Sequence, residues 1–147
     1  KKEIVEHAPR WVVALFKAYG TIFIDRGKIA KSSLASALQY LNDGAAVGIF
    51  PEGTRSPKGA LMRGQPGAAF LAIESNATIQ PVAIIGSNKY KINLWFLFKR
   101  QPLTVIFGSP IIIGKRNIEL KDLSEEIMLS IAKLLPDSMQ GVYYEPD

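Results

Sequence analysis

The feature of this sequence that most constrains its fold is a series of short apolar runs separated by helix-like segments. AVGIF (46–50) and IQPVAII (79–85) lack the polar residue at every second position that marks a half-exposed strand. Strands of this kind are covered on both faces. TIFID (21–25) and LTVIFGSP (103–110) are two further strand candidates. Strands that alternate with helices predict an α/β fold, with a mostly parallel sheet and helices on both faces.

The helix-like segments show recognisable starts and ends. Helices are expected over residues 11–19, from a cap at Ser32 or Ser33 to Gly44, over residues 67–75, and from a capping-box-like pair, Asp122 and Glu125, onward. No internal repeat or linker interrupts the pattern. The 147 residues, 48% of them hydrophobic, are enough for one core and too few for two.

Composition excludes several classes of site. The chain has no cysteine, which excludes disulfides and thiolate metal sites, and its single histidine excludes a histidine-rich metal site. A net charge of +5 and a pI near 9.5 favour an acidic partner. Nucleic acid is disfavoured, because the cations are scattered and no aromatic-basic recognition motif occurs. The longest apolar runs, such as residues 11–16, are far shorter than the ~20 residues of a membrane-spanning helix.

Two polar loops directly follow predicted strands. IDRGK (24–28) follows the first strand, and PEGTRSPKG (51–59) follows the second. Ligands in α/β sheets bind beyond the carboxyl ends of the strands, so both loops lie where sites form. Arg26 and Arg55 could each fork a phosphate with two parallel hydrogen bonds, which a lysine cannot provide.

The second loop combines groups with distinct uses. Gly53 lets the backbone approach a ligand closely, and the N–H groups around it add donors. Glu52 could orient a cation or hold a ligand hydroxyl. An acid beside an arginine is ordinarily a surface ion pair worth about 0–1 kcal/mol, which accounts for Asp25 and Arg26 taken alone. The two loops together favour an anion site, which is not a Walker A loop because the sequence lacks that pattern.

These stretches resemble the signature blocks of the glycerolipid acyltransferases, and specifically of the 1-acylglycerol-3-phosphate acyltransferases. FPEGTRS (50–56) resembles the third block and is highly specific, whereas GTIFIDRG (20–27) and IQPVAI (79–84) are similar to the second and fourth. VIFGSPI (105–111) and LPDSMQGVYYE (135–145) resemble the C-terminal part of the family. The blocks follow the family's order along nearly all of the chain, which implies a glycerolipid-acyltransferase-like fold.

The resemblance implies transfer of a fatty acyl group from acyl-CoA or acyl-carrier protein to lysophosphatidate, giving phosphatidate in phospholipid synthesis. No metal and no cofactor beyond the acyl donor is implied. In the family a His-x-x-x-x-Asp dyad supplies the general base. The residues implied to bind the substrate phosphate are Arg26, Arg55 and Lys1, the last in KKEI (1–4), which is similar to a lysine-bearing stretch of the family. The residues implied to support them are Glu52, Gly53, Thr54 and Ser56.

The chain departs from the family at the dyad. The fifth residue after His7 is Val12 rather than an aspartate, so no catalytic residue is identified in these residues. The resemblance places the dyad upstream of KKEI, and His7 is interpreted as a helix-entry or surface residue. We therefore expect a single acyltransferase domain over residues 1–147, truncated at its N-terminus and inactive alone.

The segment INLWFLFKR (92–100) indicates a second role. Its aromatic and cationic side chains would suit a membrane surface, although a core strand or the wall of an acyl pocket explains them as well. We expect a membrane-associated protein at the cytoplasmic face that binds a lysophospholipid and an acyl donor, and no nucleic acid. The competing functions are an acyltransferase for glycerol 3-phosphate or another lysophospholipid, and a non-enzymatic module that binds anionic lipid.

Overall fold

The computed structural model of the chain describes residues 31–54, 56–57, 59–86 and 102–146. Contacts within the chain group it into two compact units, Lys1–Gly48 and Ile49–Asp147. The helix expected over residues 11–19 and the strand expected over 21–25 lie outside the described residues. The single domain over residues 1–147 stays a prediction.

In the first unit, helix α1 (Lys31–Asn42) confirms the helix that was expected to end near Gly44. Gly44 has φ +81°, and its N–H donates to the carbonyl of Leu41 at 3.0 Å. Glycine adopts this left-handed conformation at little steric cost, and so ends the helix. The expected cap at Ser32 or Ser33 is wrong, because both residues lie within the first turn of the helix.

The second unit holds the other elements that the structure describes. In chain order they are α2 (Gly67–Ser75), β1 (Val82–Ile85), β2 (Thr104–Phe107), α3 (Leu120–Ala132), the one-turn helix α4 (Asp137–Gln140) and a 3-10 turn (Gly141–Tyr143). The bounds of α2 are those that the sequence predicted. The capping box expected for α3 is wrong, because Asp122 lies inside the helix. The N-cap position, with an extended backbone, is occupied by Glu119.

The two described strands pair in antiparallel fashion, which corrects the expected mostly parallel sheet for this part of the chain. Val82 lies opposite Phe107, and the register continues along both strands. A further antiparallel bridge joins Ile79 and Ile111, with N–H···O distances of 2.9 and 2.8 Å. A continuous apolar run is typical of parallel strands, but it does not determine the direction of pairing, which depends on the hydrogen bonds to the neighbouring strand.

Two more strand expectations are wrong. Residues 45–50 belong to neither a helix nor a strand, so AVGIF does not form the predicted strand. The paired strands are also not covered on both faces, because Ile84, Val105 and Phe107 are 39%, 45% and 69% exposed. Short apolar runs without alternation are ambiguous, since hydrogen bonding to a neighbour rather than composition makes a strand.

The core of the second unit is built on α3. One buried cluster joins the small residues Ala69 and Ala72 of α2 to Leu123 and Ile127 of α3, together with Ile111 and Ile113 from the chain after β2. A second cluster joins Met128 and Ala132 of α3 to Tyr143. Helix α3 therefore packs against α2 through one cluster and against the 3-10 turn through the other.

Candidate functional site

The loop that follows Phe50 turns on a glycine in the left-handed region. Gly53 has φ +65°, and its N–H donates to the carbonyl of Phe50 at 3.0 Å. Any other residue would be strained at this φ, and a Cβ there would lie 3.4 Å from Cγ of Gln65. We call residues 51–56 the motif loop. Its glycine makes the turn possible, and the Gly53 N–H takes part in the turn itself.

Glu52 braces the backbone of the chain that follows the motif loop. Its carboxylate Oε2 accepts a hydrogen bond from the Met62 N–H at 2.9 Å, across ten positions of sequence. Hydrogen bonds to a charged group contribute about 1.5–3 kcal/mol, roughly twice a neutral pair. The expectation that Glu52 also orients a cation or holds a ligand hydroxyl stays a prediction.

Residues 61–65, which we call the linking segment, are hydrogen-bonded on two sides. Toward the motif loop, the Met62 N–H donates to the carboxylate of Glu52, and the Gln65 N–H donates to the carbonyl of Pro51 at 2.7 Å. Toward the C-terminus, Leu61 donates to the carbonyl of Met139 at 2.9 Å and accepts from the Val142 N–H at 3.3 Å. The linking segment therefore lies between the motif loop and the C-terminal residues.

A pocket opens where the motif loop and the C-terminal residues meet. Its volume is ≈ 340 Å³, at the lower end of the range for small-molecule sites. The residues that line it are Ser56, Pro57, Ala60, Leu61, Met62, Gly141 and Val142. The wall is apolar except for Ser56, whose Oγ is buried and has no hydrogen-bond partner among the described residues.

The structure places only part of the sequence-predicted site. Glu52, Gly53 and Ser56 share the motif loop, where Thr54 is exposed. The three implied phosphate ligands lie outside the described residues: Lys1, Arg26 and Arg55. Their convergence on one anion site stays a prediction, as does the interpretation of His7.

Sequence reasoning missed the part played by Tyr143. This residue is 8% exposed, and its hydroxyl accepts a hydrogen bond from the Gly64 N–H at 3.1 Å across 79 positions of sequence. The motif GVYYE carries two adjacent tyrosines, and no periodic pattern distinguishes the buried one from Tyr144, which is 47% exposed. The only available signal was that the segment resembles the end of the family.

The described residues contain neither a membrane-spanning helix nor a cluster of metal-binding side chains. Over residues 31–54, 56–57, 59–86 and 102–146, no helix has the length and apolar character needed to cross a membrane. The same part of the chain contains no cluster of three or more acidic, histidine or cysteine residues able to hold a metal ion.

Comparison with known proteins gives consistent matches. Residues 1–85 match the family model described as Acyltransferase, which is more than half of the chain and includes the motif loop. A 1-acyl-sn-glycerol-3-phosphate acyltransferase of Bacillus subtilis is 30% identical over 111 residues, covering 76% of this chain and 52% of the relative. One of Borreliella burgdorferi is 32% identical over 75 residues, covering 50% of this chain and 30% of the relative.

A solved structure shares the fold. The crystal structure of the 1-acyl-sn-glycerophosphate (LPA) acyltransferase PlsC from Thermotoga maritima superposes with a TM-score of 0.64 at 19% sequence identity. The match covers 84% of this chain and 49% of that protein. The chain thus spans about half the length of this structure and of the Bacillus relative.

Proposed function

Because the chain belongs to the acyltransferase family, we propose that the protein transfers a fatty acyl group to the free hydroxyl of lysophosphatidate. The hydroxyl oxygen attacks the thioester carbonyl of acyl-CoA or acyl-carrier protein, the thioester bond breaks, and the thiol leaves as the new ester forms. The product is phosphatidate, an intermediate of phospholipid synthesis. Relatives named as 1-acyl-sn-glycerol-3-phosphate acyltransferases support this acceptor.

The observation that carries the proposal is the motif loop inside the matched residues. FPEGTRS lies within residues 1–85, and its Glu52 and Gly53 hold the loop in a defined turn. Arg26, Arg55 and Lys1 bind the substrate phosphate in this proposal, and Glu52, Gly53, Thr54 and Ser56 support them. Attack on the thioester needs a general base, which the family resemblance assigns to a His-x-x-x-x-Asp dyad.

The phosphate role of Arg55 is tested with Arg55→Lys in the full-length product of the coding sequence. Lysine keeps the positive charge but cannot form the two parallel hydrogen bonds that arginine makes to a phosphate. Lost hydrogen bonds to a charged group are worth about 1.5–3 kcal/mol each, so kcat/KM for lysophosphatidate should fall at least roughly tenfold. The melting temperature should barely change, because in this proposal Arg55 binds the substrate phosphate, which is absent from the unfolding experiment.

Arg116 supplies a matched control. Its guanidinium forks the carboxylate of Glu126, with N–H···O distances of 3.1 and 2.6 Å, and these hydrogen bonds raise the pKa of Arg116 above its ordinary value. Arg116→Lys removes a fork between two residues outside the motif loop and the linking segment, and should leave kcat/KM unchanged. If Arg55→Lys melts much earlier and keeps full efficiency, Arg55 is structural and the phosphate binds elsewhere.

The same assay identifies the acceptor and the donor. Lysophosphatidate, glycerol 3-phosphate and another lysophospholipid are compared as acceptors, each with acyl-CoA and with acyl-carrier protein. A preference for either of the other acceptors would replace the proposed substrate. Absence of transfer to all three, together with sedimentation on anionic vesicles, would favour the non-enzymatic lipid-binding module.

The proposal includes association with the cytoplasmic face of a membrane, supported by the net charge of +5 and by the aromatic and cationic residues of 92–100. It also includes a mostly parallel sheet beyond the two described strands. Mixed sheets often carry an antiparallel edge, so β1 and β2 are compatible with such a sheet.

A further inference from the structure

The residues at the C-terminal end of the described chain contact the linking segment through three hydrogen bonds. We call residues 137–143 the C-terminal turn. Leu61 both donates to Met139 and accepts from Val142, and the Gly64 N–H donates to the hydroxyl of Tyr143. These residues lie beyond residues 1–85, which match the family model.

The hydrogen bonds of the linking segment alternate between two partners. Leu61 and Gly64 bond to the C-terminal turn, whereas Met62 and Gln65 bond to the motif loop. A displacement of this segment therefore changes contacts on both sides. The linking segment is hydrogen-bonded to the motif loop, and the position of the linking segment in turn depends on the C-terminal turn.

Tyr143 connects the hydrophobic core to the linking segment. Its ring is buried against Met128 and Ala132 of α3, and Leu61 of the linking segment packs on the same cluster. The buried ring places the hydroxyl at 3.1 Å from the Gly64 nitrogen, and Met128 leaves no space for a side chain at Gly64. The bond thus connects a rigid core residue to the linking segment.

We propose that Tyr143 is a positioning residue for the motif loop. Through Gly64 and the linking segment, its hydroxyl holds the motif loop in the conformation that binds substrate. The inference rests on the proposed function for its catalytic consequence. It assigns to the C-terminal turn a part in the site, although that turn contributes no residue to the signature motif.

The test removes one oxygen. Tyr143→Phe keeps the buried ring and deletes the bond to Gly64, and Tyr144→Phe is the matched control, since Tyr144 is 47% exposed. In the full-length protein, Tyr143→Phe should raise KM for lysophosphatidate by roughly two- to tenfold, the range expected for one neutral hydrogen bond. KM for the acyl donor should not change. A merely structural role would lower the amount of active enzyme and leave KM for lysophosphatidate unaltered, which would overturn the inference.

Residue-resolved hydrogen exchange provides a readout that does not depend on activity. In Tyr143→Phe, amide exchange should become faster at Gly64, at Met62 and at Gly53 in the motif loop, and Tyr144→Phe should match the wild type. Faster exchange confined to Gly64 would show that the hydroxyl does not position the loop. If the wild-type protein acylates no lysophosphatidate, the proposed function fails, and the exchange at Met62 and Gly53 still decides whether Tyr143 positions the loop.

Discussion

Glu52 and Ser56 stand four positions apart in the motif loop, and their polar atoms meet opposite environments. The Glu52 carboxylate accepts a backbone hydrogen bond from Met62, whereas the Ser56 hydroxyl is buried without a partner in the part of the chain that the structure describes. Polar groups of native proteins are rarely buried and unpaired, so each such group calls for an explanation. Ser56 follows Arg55, an implied phosphate ligand, in the sequence, and its unpaired hydroxyl is explained if it serves substrate binding rather than folding.

Replacing Ser56 by alanine should therefore affect stability and activity in opposite directions. Ser56→Ala removes an unsatisfied polar group and should raise the free energy of unfolding by about 1 kcal/mol. The same change should raise KM for lysophosphatidate. Urea unfolding and steady-state kinetics measure the two effects, with Ser109→Ala, at an exposed serine, as the control. A lower free energy of unfolding in Ser56→Ala would show that the hydroxyl has a stabilising partner in solution.

At the scale of elements, the contact between the C-terminal turn and the linking segment depends on Gly141. Its φ is +59°, and a Cβ there would collide with the carbonyl oxygen of Leu61 and lie 2.8 Å from the Leu61 nitrogen. Gly114 has a similar φ of +56° and open space around it. The two glycines share a positive φ, but Gly141 also has a ψ of −119°, outside the left-handed helical region, and only Gly141 lies against another backbone segment.

Both alanine variants add backbone strain, and Gly141→Ala adds a collision with Leu61 as well. Gly114→Ala should lose about 1–3 kcal/mol of unfolding free energy through backbone strain. Gly141→Ala should lose more, by a further ~1–3 kcal/mol, because the added methyl pushes the C-terminal turn away from Leu61. Urea unfolding with a common m-value compares them. Equal losses in the two variants would mean that the turn and the linking segment separate without cost.

The elements that the sequence predicted best are those with a local signal. Helix α2 was predicted with its bounds, and α1 ends two residues before Gly44, the glycine expected to close it. The strand expected at residues 46–50 was wrong because a short apolar run does not reveal whether a neighbour pairs with it. The expected parallel direction was wrong for β1 and β2, because an apolar run does not reveal which way the neighbouring strand runs.

In the molecule as a whole, the sequence predicted the signature motif of the candidate site. It did not predict the distant residues whose hydrogen bonds hold the linking segment behind that motif. FPEGTRS is a contiguous pattern, so Glu52, Gly53 and Ser56 could be singled out from sequence. The bond between Gly64 and Tyr143 joins residues 79 positions apart. Periodicity and spacing report on neighbours within a few residues, and a pair at this separation is visible only once the chain is folded.

The last prediction concerns the 147 residues as a whole. They contain one histidine, His7, with Val12 rather than an aspartate at the fifth position after it. A positioned general base contributes about 100- to 10,000-fold to a rate. Without the dyad, the chain by itself should show no measurable transfer from acyl-CoA to lysophosphatidate, as followed by thiol release.

The control for this prediction is the full-length product of the coding sequence, assayed beside the 147-residue chain under the same conditions. Activity of the full-length protein together with an inactive chain would place the base outside these residues. Turnover by the chain that disappears in His7→Ala would instead make His7 the base, since no other imidazole is present in the sequence. Turnover that survives His7→Ala would require a base other than histidine, and the dyad inferred from the family would then not apply to this protein.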